Sequence, residues 1–170
     1  MFDPILVANR LPKLAERAMR DAILARLGRH HLEDEALLRF EALVQRLARD
    51  GIRPASLFAE RDRIVREISR FAQSRLASRL FAIKRRGVAA LGRDARPFDA
   101  VVHGRCGGLY GVVFRRLPGD GRRLESMRAI RSAAAAYAPN RLRGVLVYDF
   151  GSGTVRTLRC GVRPVELSAA

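Results

Sequence analysis

The stretch FDAVVHGRCGGLYGVVFRRLP, residues 98–118, decides the fold. Two runs rich in β-branched residues, DAVVHG and LYGVVFRRL, stand either side of RCGG, and that arrangement predicts an antiparallel hairpin. Gly107 and Gly108 supply the positive φ that a tight strand connection needs. The glycines do not make a phosphate loop. A Walker A loop runs GxxxxGK(S/T) into a helix; here no Lys or Ser/Thr follows and the next element is a strand, a context that also removes a dinucleotide fingerprint. A nucleophilic site is equally unsupported, because His103 is too close in sequence to Cys106 to predict a catalytic pair and no GxSxG elbow exists.

Downstream of the hairpin, PGDG ends the pair and RRLESMRAIRSAAAAYA reads as a helix with Leu124, Met127, Ile130, Ala134 and Tyr137 on one face, stopping before Pro139. RGVLVYDF and GTVRTLRC then read as strands joined through GSG. Upstream, three helices are predicted. The first has apolar residues near the 3.6 period from Leu6 to Leu27, with Pro12 breaking or kinking its first turns and Gly28 stopping it. The second opens on Glu33, Asp34 and Glu35, which suit the positive helix start, and closes with Arg46 and Arg49 before Gly51. The third runs from Ser56 to Arg86 with Phe58, Ile64, Val65, Ile68, Phe71, Leu76, Leu80 and Ile83 in one stripe. The predicted class is α+β, in the order α-α-α-β-β-α-β-β. The composition shift at KRRGVAALGRDARPFD divides a helical arm, 1–88, from an αβ core, 89–170, on which the helix 56–86 is expected to pack.

The charge balance narrows the partner. The 170 residues carry 33 Lys and Arg against 17 Asp and Glu, a net +16. Residues 1–92 (17 Arg, 2 Lys, 11 acids) and 93–170 (14 Arg, 6 acids) each contribute +8, so the excess is not a detachable tail. Folded basic surfaces of this kind bind phosphate polyanions or anionic membrane, nucleic acid being the commoner partner, because many arginine contacts release condensed counterions together. Cys106 and Cys160 are too few for a disulfide framework, and His30, His31 and His103 do not combine with them at zinc-ligand spacing. No apolar run is long enough to span a bilayer, and the N-terminus lacks a secretory pattern, so a cytoplasmic protein with no membrane partner is expected, nucleoid-associated if it binds DNA.

The αβ half, roughly residues 60–160, resembles the PD-(D/E)XK nuclease fold. The resemblance rests on a preceding helix, RPFDAVV, the hairpin, GLYGVVFRRLP, an Arg-bearing helix ending AAAAYA, and RGVLVYDFGSGTV. In that family the first strand carries an Asp and the second an acid-x-Lys; the acids ligate magnesium and the Lys helps to orient or activate water. Asp99 matches the first acid. The second motif departs from the family where the chemistry lies. One alignment places Val113 at the acid and Arg115 at the Lys, and a shift by one places Phe114 and Arg116 there. A single Asp is a poor site for a hard cation, and an Arg, which stays protonated, is no base. The resemblance therefore implies a nuclease-like core without cleavage, in which Arg replaces metal-bound charge and meets phosphate directly.

The leading expectation is a DNA-binding protein, with duplex preferred and no cofactor, acting in regulation, recombination or mobile-element DNA handling. Its candidate phosphate contacts are Lys84, Arg85 and Arg86 at the junction, Arg115 and Arg116 on the strand, Arg122 and Arg123 at the helix start, and Arg141 and Arg143 after it. Rows of Arg63, Arg66 and Arg70, then Arg75 and Arg79, along the third helix read either as phosphate-facing or as a solvated face screened by Asp62 and Glu67. Two alternatives stand beside this. One is a Mg-dependent nuclease using Asp99 with Glu125. The other is an oligomeric interaction protein, in which Leu57 with Phe58 and Leu80 with Phe81 give the arm more than one apolar side for self-association.

Overall fold

The helical half begins where backbone chemistry allows it to. In the computed structural model, which describes residues 10–25, 31–47, 54–85, 90–91, 98–103, 108–117, 128, 130, 132 and 142–159, α1 spans Leu11–Ala25. Pro12 falls in its first turn, where its missing N–H leaves no bond unmade, and the Arg10 carbonyl accepts the N–H groups of Lys13 and Leu14. Helix α2 spans Leu32–Leu47 with its three acids in the first turn, as their attraction to the helix dipole predicts.

The third predicted helix is two helices. α3 spans Pro54–Ala72 and α4 spans Arg75–Arg85. Ser74 divides them: its N–H donates to the Phe71 carbonyl at 2.8 Å, and its hydroxyl accepts the Ala77 N–H at 3.1 Å as a fresh N-cap. The apolar stripe continues across the break, so periodicity alone reads one element.

The fold is α+β, with the helices first and the strands after them. The strands are β1 (Ala90–Leu91), β2 (Ala100–His103), β3 (Leu109–Arg115), β4 (Leu142–Asp149) and β5 (Thr154–Arg159), lying in chain order in one mixed sheet. β2 and β3 are the expected antiparallel hairpin, with Ala100 opposite Val112 and His103 opposite Leu109; of the predicted bend RCGG, 105–107 lie outside the described residues, and Gly108 does not take the positive φ expected of it. β1 was not expected, since two residues carry no period; it pairs with β2. β3 and β4 run parallel, which requires a crossover, and Arg128, Ile130 and Ser132 within the intervening segment are helical. Most of that predicted helix, including Leu124, Met127, Ala134 and Tyr137, lies outside the described residues. β4 and β5 are antiparallel through the expected turn at 151–153.

Alternation along the strands makes two apolar layers. Val112, Phe114 and Tyr148 face the helices, where Ala15, Met19, Phe40, Ile64, Ile68, Phe71 and Leu80 bury them. Val101, Val113, Val145, Val147 and Leu158 face the other way, under Phe98 and Ile130. Phe98 lies so close over Gly111 that a Cβ there would stand 2.8 Å from its ring. The division into an arm, 1–88, and a core, 89–170, thus follows chain order, while in space both sections share the first layer. Leu80 and Phe81, expected to offer two sides to a partner, are both buried within that layer; Phe58 stays 62% exposed.

Phe71 is the hub of the first layer. Its ring meets Tyr148 at 5.0 Å, Phe114 at 5.5 Å and Phe81 at 6.3 Å between centroids, all edge-on, which suits aromatic quadrupoles. Phe71→Ala is expected to cost about 4 kcal/mol, read as a lowered urea midpoint, with Phe71→Leu costing clearly less because less cavity remains.

Candidate nucleic-acid interface

The motif-bearing residues lie where β2 begins and β3 ends. Asp99 precedes β2; its N–H donates to the Val112 carbonyl at 3.0 Å, and its Oδ2 accepts the Phe114 N–H at 2.8 Å. Its Oδ1 stands 3.6 Å from Arg20 Nε on α1. Asp99 is therefore a brace between two strands and a helix. Burial pushes its carboxyl above the ordinary 3.8, while the Phe114 N–H, Arg20 and Arg115 pull it back.

The two arginines that end the hairpin separate, because alternate residues of a strand leave on opposite faces. Arg115 follows Val113 onto the second face and is exposed, whereas Val113 itself is buried. Arg116 returns to the helices. Its Nη2 donates to Glu67 Oε2 on α3 at 2.6 Å, and its backbone N–H donates to Glu16 Oε2 on α1 at 3.0 Å. Arg116 thus leaves the set of free phosphate contacts. Glu67, expected to screen the helical arginine rows, is only 7% exposed and answers Arg116 instead.

Those rows are also broken up. Arg63 pairs with Glu60 at 2.8 Å, and Arg70 donates from Nη1 to the Gly151 carbonyl at 3.1 Å, its stem lying where a side chain on Gly153 (φ 70°) would stand. Arg66, Arg75 and Arg79 are exposed and have no acidic partner among the described residues. Arg143 is exposed too, at an irregularity where β3 and β4 shift register. It lies six residues from Asp149, the partner of Arg115, so roughly 20 Å of strand separates the two arginines. They are opposite ends of one sheet and not one cluster. Lys84 and Arg85 fall in the last turn of α4, and Arg86, Arg122, Arg123, Arg141 and Glu125 lie outside the described residues.

Sequence reasoning missed Asp149 and the arginines of β5. Asp149 is buried, and its Oδ1 accepts the N–H groups of Leu117 at 3.0 Å and Gly151 at 3.1 Å. Its Oδ2 accepts the Ser152 hydroxyl at 2.8 Å. An Asp two residues before Gly-Ser-Gly is a legible side-chain turn, but the tie to Leu117 joins two segments distant in sequence. Arg156 and Arg159 are exposed on β5, which pairs on one side only among the described residues. Among those residues no group of three or more His, Cys, Asp or Glu is placed to hold a metal ion, and no helix is long and apolar enough to cross a membrane. No protein-family model, curated protein or solved structure matches the chain.

Two outcomes follow from these braces. Arg116→Ala leaves the buried Glu67 unpaired and is expected to cost about 3 kcal/mol, part of which Glu67→Gln in the same chain restores; urea unfolding of the two variants measures this. Asp99 has a raised folded-state pKa, so its contribution is fully present below the unfolded value and is lost as pH rises through the folded one. Asp99→Asn keeps an acceptor for Phe114. Its stability relative to the parent is expected to improve from pH 3 to pH 7 in parallel denaturation series.

Proposed function

We propose that this chain is a DNA-binding protein whose sheet follows a nuclease-like plan with the cutting residues replaced. One observation carries the reading: where the resembled family places an acid and a Lys, Val113 is buried in the second layer and Arg115 is exposed, while the Asp99 carboxylate is taken up by Phe114 and Arg20. Such an end of a sheet draws phosphate without activating water. The order helix, antiparallel hairpin, helical crossover and parallel strand supports the same plan. The net charge of +16 supplies the long-range attraction, and duplex DNA is the preferred form, since the 6% aromatic content without Trp offers few stacking platforms for single strands.

A second reading, an oligomeric interaction protein, is favoured by one feature: Phe58 and Leu38 are 62% and 67% exposed, and Phe58 borders an apolar groove formed with Phe40, Val44 and Leu57 between α2 and α3. The binding reading is tested by fluorescence anisotropy with random duplex, single-stranded DNA and RNA at several salt concentrations. Duplex binding that weakens steeply with salt is expected, with Arg115→Gln lowering the slope of log K against log salt by about one. Tight self-association without salt-sensitive binding favours the second reading. Plasmid cleavage in Mg²⁺ or Mn²⁺ that Asp99→Asn abolishes returns the protein to the metal-dependent nucleases, with Glu125 as the second acid to test.

A further inference from the structure

β5 places a second arginine beside Arg115. Across the sheet, Arg115, Asp149 and Thr154 form one row, and Val113, Val147 and Arg156 form the next. Val113, Val147 and Leu158 all lie in the second apolar layer, so alternation puts Arg115 and Arg156 on that same face. Two strand spacings across and two residues along, their Cα atoms stand about 12 Å apart, close enough for two long side chains to meet one segment of backbone. Both are exposed and neither makes a salt bridge among the described residues, although Arg115 lies near enough to the Asp99 carboxyl to favour its charged form.

Asp149 stands in the middle strand between them, and its carboxylate is occupied by hydrogen bonds rather than by either guanidinium. Its carboxylate holds two backbone N–H groups and the Ser152 hydroxyl. With its proton directed at that carboxylate, Ser152 Oγ accepts from the Thr154 hydroxyl at 2.7 Å. This chain binds the exit of β3, through Leu117, to the turn that launches β5. Phe150 adds a second tie, donating its N–H to the Arg115 carbonyl at 2.9 Å. The backbones that carry the two arginines are thus held in fixed relation before any ligand arrives, which lowers the ordering cost of binding.

We infer that Arg115 and Arg156 form a two-arginine seat for successive phosphates of one DNA strand, at the carboxyl ends of the parallel pair β3–β4, with Asp149 as the positioning residue between them. The inference rests on the DNA-binding reading and assigns the contact to the second face of the sheet, away from the arginines of α3. Guanidinium forks suit phosphate oxygens, and the carboxyl ends of parallel strands are where open sheets accept ligands.

The test is a salt series on a random duplex with the full chain and four variants: Arg115→Gln, Arg156→Gln, the double substitution, and Arg66→Gln on the helical side. Arg156→Gln is expected to weaken binding several-fold and to lower the salt slope by about one, the double variant by about two, and Arg66→Gln to leave the slope in place. Urea midpoints of the exposed-site variants should match the parent, so that loss of binding is not loss of fold. Duplex binding with an unchanged slope in Arg156→Gln overturns the seat and leaves the DNA reading standing, as does an equal loss in Arg66→Gln, which would report net charge alone. Absence of salt-sensitive duplex binding by the parent, or its binding instead to phosphatidylglycerol vesicles, overturns both.

Discussion

The parallel pairing of β3 with β4, sandwiched between two apolar layers, is the constraint on which the remainder of the structure depends. A parallel pair needs a crossover and must be covered on both sides. Phe71, Phe114, Tyr148 and Phe150 supply one cover in a cluster of edge-on and tilted contacts, and Val113, Val145, Val147 and Leu158 with Ile130 supply the other. Because both strands are buried through their middles, only their ends reach solvent. The polar and charged groups of this half are accordingly displaced to strand ends, turns and the edge strand β5.

At those ends the electrostatics sorts arginines into two kinds. Arg116 and Arg70 are structural: one answers a buried Glu67, the other caps the turn at Gly151. Arg115, Arg143, Arg156 and Arg159 point outward and keep their charge available. The acids are sorted in the same way. Glu67 and Asp99 are paired with Arg116 and Arg20, and Asp149 is held by backbone N–H groups and the Ser152 hydroxyl, so each acid near the end of the sheet serves the fold.

Much of the architecture was legible in the sequence. The helical period with its acidic start marked α2, the two β-branched runs around RCGG marked the hairpin, and GSG marked the final turn. What escaped did so for local reasons. Ser74 ends a helix inside an unbroken apolar stripe because its hydroxyl competes for a backbone donor, and β1 is too short to show alternation. Arg115 and Arg116, identical neighbours in the chain, differ in role only once it is known which face of β3 the helices cover.

Composition and local periodicity by themselves determined the α+β class, the order of the main elements and the basic charge distributed over both halves. Those properties depend on residues near one another in the chain, so a linear reading suffices. The tertiary structure decided which charges near the sheet are free, because the pairings there are made across long sequence separations: Arg116 meets Glu67 at 49 residues' distance, Leu117 meets Asp149 at 32, and Arg70 meets Gly151 at 81. Arg156 gains its place beside Arg115 in the same way, through strand register, which exists only when the sheet has formed.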